Sequence, residues 1–101
     1  MSLKMNNKNT DEHILVCLSA APSNQKIIDT AAKMANALQT RFTALYVQTG
    51  TKAEAADKEK LEEHIRYAEK LGAEIVMTHG ENIPVQIAEY ARLSNVTEIV
   101  I

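Results

Sequence analysis

The sequence predicts an α/β domain: a Rossmann-like parallel sheet flanked by helices, in the order β-α-β-α-β-α-β. Three observations carry this prediction. Short runs rich in Val, Ile and aromatic residues alternate with longer stretches of helical periodicity, the pattern of parallel βαβ units. The connections are short, which suits right-handed crossovers that place helices on both faces of the sheet. The first run, HILVCLS at 13–19, is almost continuously apolar, as a strand covered on both faces must be.

After that strand, Pro22, Ser23 and Asn24 break the run, and Ser23 or Asn24 is placed to cap a helix. Over 24–39 the residues Ile27, Ala31, Met34 and Leu38 recur at helical spacing. RFTALYVQT at 41–49 is rich in β-branched and aromatic residues and reads as the second strand. Its alternation puts Phe42, Ala44 and Tyr46 on one face and Thr43, Leu45 and Val47 on the other. A helix follows from about Ala56, with Leu61, Ile65, Ala68 and Leu71 or Gly72 marking its buried face and Gly72 suited to its C′ position. AEIVMTHG at 73–80 is the third strand. Asn82 or Ile83 then caps a helix with Pro84 in its first turn, and NVTEIVI closes as the fourth strand.

A chain of 101 residues supports one domain with one core. The aromatic share is 4% with no Trp, so that core must be aliphatic. With 11 basic and 13 acidic residues the net charge is −2, which disfavours a duplex nucleic-acid binder that needs a basic stripe against phosphates. Cys17 is the sole cysteine, so no intrachain disulfide forms and a reducing, cytoplasmic setting is expected. No apolar run approaches the ~20 residues a membrane span requires. Residues 1–11 are polar and aperiodic, open like an expression tag, and are set outside the domain, which is taken as 12–101. The final TEIVI is a strand with no turn after it, which reads as a domain truncated before a last strand.

In open parallel sheets ligands bind outside the carboxyl ends of the strands, where strand order reverses. This places Ser19–Ser23, Gln48–Thr51 and His79–Asn82 along one edge. There, Ser19 is a candidate phosphate or ribose contact, Tyr46 a candidate stacking platform for a base, and His79 a further contact. Cys17 reads as a small hydrophobe within its strand and His64 as a half-exposed helix residue. The charged segment EAADKEKLEEHIRYAEK reads as a solvated helix face, with Glu54–Lys58 and Glu62–Arg66 spaced to attract weakly. The three histidines are too scattered for a local metal motif, and no nucleophile has a base at persuasive spacing. Independent enzymatic activity is therefore not expected.

The opening strand and loop, FTALYV following ANALQT, and LGAEIVMTHGENIPVQIAEYARLSNVTEIVI resemble the universal stress protein family over residues 12–101. Within it they look most like the version embedded in KdpD-type sensor histidine kinases, which control bacterial potassium uptake. The resemblance implies a five-stranded domain that dimerises through a last strand, the one expected to be missing here. Nucleotide-binding members carry an Asp at the end of strand one and a Gly-x-x-Gly-x(9)-Gly-Ser/Thr loop after strand four. Ser19 occupies the Asp position, the loop would follow Ile101, and Val47 falls where the family's backbone meets adenine. Some KdpD-type domains bind cyclic di-AMP through Ser-x-Ser, then twenty residues, then Phe-Thr-Ala-x-Tyr. Phe42, Thr43, Ala44 and Tyr46 match; Ser19 matches the first serine, Ala21 stands at the second, and Ser23 is a candidate substitute.

The resemblance thus implies a cytoplasmic regulatory module of a membrane-anchored sensor kinase. Cyclic di-AMP is its better-matched ligand and ATP the poorer, and the other kinase domains are its partners. Two alternatives stay open: a scaffold that binds no nucleotide, contacting the kinase, a second copy or soluble universal stress proteins; and a free-standing ATP-binding stress protein.

Overall fold

The computed structural model describes residues 2–4, 12–50 and 55–101. Its elements are β1 (Ser2–Lys4), β2 (His13–Cys17), α1 (Asn24–Leu38), β3 (Arg41–Gln48), α2 (Ala55–Lys70), β4 (Glu74–His79), α3 (Ile83–Leu93) and β5 (Glu98–Val100). The sheet order is β1-β5-β2-β3-β4. β5, β2, β3 and β4 run parallel, so the expected four-stranded Rossmann-like core is present.

Alternation within the strands sorts the core into two layers. Ile14, Val16, Phe42 and Ala44 pack with Ile28, Ala31, Ala35 and Ala68 from α1 and α2. Leu15, Leu45 and Ile99 pack on the opposite face with Ala91 of α3. β2 is central and both its faces are covered, which is why Ile14, Leu15 and Val16 are fully buried and why its sequence reads as one apolar run.

Residues 2–4 depart from the expectation that the leader lies outside the fold: β1 pairs antiparallel with β5, Ser2 opposite Val100 and Lys4 opposite Glu98. Backbone pairing at an open sheet edge satisfies N–H and C=O groups without a side-chain pattern, so composition does not signal it. Residues 5–11, and Thr51 and Glu54 of the expected edge and ion pair, fall outside the described residues.

Two helix faces are rotated from the predicted stripes. In α1 the buried residues are Asn24, Ile28, Ala31 and Ala35, while Leu38 is 48% exposed. Three small or short residues on that stripe let the helix axis approach the sheet, and the bulkier Ile27 and Met34 flank it. In α2 the buried residues are His64 and Ala68, with Leu61 and Ile65 at the margin and Leu71 exposed. His64 is thus a buried residue rather than the half-exposed one expected.

The caps follow the sequence more closely at α3 than at α1. The Asn82 side chain accepts from the Val85 N–H at 3.1 Å, with Pro84 in the first turn. Ser23 precedes α1 but its side chain caps nothing; its own backbone is already helical and its carbonyl accepts from Lys26 N–H at 3.1 Å. Gly72 has φ +99°, a conformation costly for a residue with a Cβ, and ends α2 as predicted.

Candidate functional site

A cleft of about 580 Å³ opens at the carboxyl ends of β2 and β3. Its floor is the Leu18–Ala20 turn, one wall is Tyr46–Gly50 from the end of β3, and the opposite wall is the start of α2, with Asp57, Lys58 and Leu61. Ile83 closes one side from the first residue of α3. The strand order reverses between β2 and β5, so the cleft sits one strand away from the switch point, over the β2–β3 pair.

The local backbone explains this position. β2 extends past its last ladder residue, with Leu18 N–H donating to Leu45 O at 2.8 Å, and the chain then turns away. The turn is held from three sides. Ser19 Oγ accepts from Ala21 N–H at 3.2 Å. Asn24, buried at the start of α1, donates its side-chain N–H to Cys17 O at 2.9 Å. His64 of α2 donates its Nδ1–H to Ser19 O at 2.7 Å, which fixes its tautomer. The loop is therefore anchored to both helices of its layer, and Ser19 stays exposed at the cleft floor.

Of the residues proposed from sequence, Ser19, Tyr46 and Val47 line this cleft. Ala21 and Ser23 are exposed outside its lining, and His79 is exposed at the end of the edge strand β4, also outside it. Phe42, Thr43 and Ala44 are buried lower in β3: Phe42 and Ala44 lie in the α1–α2 layer. Thr43 sits on the opposite face, hydrogen-bonded to His13 Nε2 at 2.8 Å. Sequence reasoning missed Asp57 and Lys58, whose segment reads as a solvated helix face, and Leu61, which reads as core-facing; nothing local says which end of α2 reaches the strand termini.

A smaller hollow of about 410 Å³ lies behind the loop, between α1 and α2, where His64, Tyr67 and Gln25 meet. The Tyr67 hydroxyl donates to the Asp29 carboxylate, an interaction that pushes the phenol pKa up. Burial raises the Cys17 thiol to about 11, so it is held as the neutral thiol at neutral pH. Among the described residues no group of three or more His, Cys, Asp or Glu side chains could hold a metal ion, and no helix is long and apolar enough to cross a membrane.

The same architecture recurs in solved structures. A universal stress protein from Burkholderia pseudomallei superposes with TM-score 0.64 at 15% identity, covering 84% of this chain and 76% of that one. A universal stress protein solved in complex with cAMP superposes with TM-score 0.58 at 16% identity, covering 82% and 66%. The chain therefore has the α/β fold of these universal stress proteins. In sequence it is similar to Sensor protein KdpD of Clostridium acetobutylicum, 47% identical over 92 residues. That match covers 91% of this chain but 10% of the relative, so the chain corresponds to a small part of a much longer protein. No protein-family model matches the chain.

Proposed function

We propose that the chain acts as the cytoplasmic regulatory module of a KdpD-type, potassium-responsive sensor histidine kinase, and that its cleft takes an adenine nucleotide, cyclic di-AMP before ATP. The observation that carries this reading is the cleft itself: Ser19, from the turn after β2, and Tyr46, from β3, line one cavity large enough for a nucleoside. The 47% identity to a KdpD segment supports the regulatory setting, and the cAMP complex of a structural neighbour supports the ligand class.

In this reading the base stacks on the Tyr46 ring, with Leu61 and Ile83 as apolar walls. The Ser19 hydroxyl meets ribose or phosphate where relatives use a carboxylate. The module itself performs no chemistry; a bound nucleotide shifts the kinase between two states only by its difference in affinity for them. Its partners are the other domains of the parent kinase, and the membrane is reached only through that parent.

Isothermal titration with cyclic di-AMP, cAMP and ATP tests the proposal. Binding of a cyclic nucleotide that Tyr46→Ala weakens about tenfold supports it, as base stacking contributes ~1–3 kcal/mol. A folded chain that gives no heat with any of the three overturns it. That result would favour a scaffold without nucleotide, a reading already suggested by Ala21 at the second serine position and by the exposure of Ser23 away from the cleft.

A further inference from the structure

Asp57 and Lys58 are the charged side chains among the described residues lining the cleft, and both come from the first turn of α2. They lie on the exposed end of the helix, and among the described residues neither is in an ion pair. The lining is otherwise apolar or neutral. Among the described residues its net charge is zero, with one ammonium and one carboxylate side by side in sequence. An ammonium on a flexible stem contacts a phosphate as a point charge, and a single one offsets a single negative charge. A nucleotide that concentrates several negative charges on one phosphate chain would bring the excess against Asp57.

We infer that the first turn of α2 sets the charge class of the ligand: Lys58 is the phosphate contact, and Asp57 limits the cleft to phosphodiesters. Cyclic AMP carries one negative charge and cyclic di-AMP one on each of two separate phosphodiesters, so Lys58 meets a single charge in either; a nucleoside triphosphate brings several charges to the same place. This rests on the nucleotide-binding reading above and adds to it two specificity-determining residues outside the loop and strand that the sequence singles out.

The test is titration of the chain and two exposed-site variants, Lys58→Met and Asp57→Asn, with cAMP, cyclic di-AMP and ATP at low and high salt. Lys58→Met is expected to weaken cyclic nucleotides about tenfold, as for a lost hydrogen bond to a charged group, and to remove most of the salt dependence. Asp57→Asn is expected to tighten ATP severalfold and to change the cyclic nucleotides by less than about twofold. If Lys58→Met leaves affinity and salt dependence unchanged while Tyr46→Ala weakens binding, the charge assignment is overturned and the nucleotide site stands. If the unaltered chain binds no nucleotide, both fall together. Circular dichroism of each variant separates a lost contact from a lost fold.

Discussion

His64 Nδ1–H donates to the carbonyl oxygen of Ser19 at 2.7 Å, joining α2 to the loop that forms the cleft floor across 45 residues of sequence. The side chain is buried, so its removal both opens a void and leaves the Ser19 carbonyl without that donor. His64→Ala is expected to destabilise the chain by about 2 kcal/mol, from the lost bond together with lost packing. Urea unfolding measures this. The variant should also weaken nucleotide binding beyond what Ser19→Ala does, since it frees the whole turn rather than one hydroxyl. Equal stability of His64→Ala and the parent chain would mean that the bond contributes nothing to holding the loop.

A second buried histidine lies at the opposite end of the sheet. His13 donates from Nδ1 to Ser94 O at 3.1 Å and its Nε2 accepts from the Thr43 hydroxyl at 2.8 Å, an arrangement that suits the neutral ring. Its backbone N–H donates to Thr97 Oγ1, which in turn donates to the Glu12 carboxylate. Burial lowers the His13 pKa and nearby Arg41 acts in the same direction; the bond to Ser94 and the charge of Glu74 oppose them. Because the folded state resists the proton that the unfolded chain accepts near pH 6.5, stability is full above that value. It declines as pH falls below it, until the folded pKa is passed. The slope for one proton is at most about 1.4 kcal/mol per pH unit. Thermal or urea unfolding between pH 7.5 and 5.5 should show this slope in the parent chain and a flatter one in His13→Gln. Identical slopes would exclude His13 as its source.

The strands and their order of appearance are readable because each is a compact apolar or β-branched run bounded by turn residues. The helix faces are less so. Ile27, Met34 and Leu38 are the larger apolar residues of α1, and a hydrophobicity pattern follows them. The sheet instead accepts Asn24, Ile28, Ala31 and Ala35, because close approach rewards small side chains. Ser19 and Tyr46 of the cleft are legible from the strand ends, and Val47 from the family resemblance. Asp57 and Lys58 are not, since their place depends on how α2 crosses the sheet edge, a long-range property. His64 is hidden for the same reason: its partner is a backbone carbonyl 45 residues away.

Cys17 gives a reading of how tightly the central strand is held. Its pKa, raised by burial to about 11, leaves roughly one thiol in a thousand ionised at pH 8. In the folded chain, reaction with a disulfide reagent at that pH should be at least about tenfold slower than for an unfolded thiol of ordinary pKa. Addition of urea should release the full rate. Rapid labelling of the native chain would show that the end of β2 opens to solvent far more often than its packing suggests.

Asn24 gives the sharpest test of the loop anchor, because substitutions there set two electrostatic effects against each other. Its side-chain N–H donates to Cys17 O, the residue is almost completely buried, and among the described residues its Oδ1 has no hydrogen-bond partner. Asn24→Asp would put a carboxylate in the first turn of α1, where the helix dipole favours negative charge by ~0.3–1 kcal/mol. It would also remove the donor, turn an anion towards the Cys17 carbonyl and bury it, costs of several kcal/mol that dominate. At pH 7, Asn24→Asp is therefore expected to be less stable than Asn24→Ala, which loses the donor and some packing but buries no charge. The new carboxyl would have a folded pKa raised above its unfolded value of about 3.9, since only the protonated form can donate to Cys17. Its contribution to stability is then largest at low pH and is lost as pH rises through the folded pKa. Urea unfolding at pH 7 and pH 4.5 should show the gap between the two variants narrowing or reversing at the lower pH. A gap independent of pH would mean that the carboxylate escapes to solvent and that the loop is not held by a buried donor at this position.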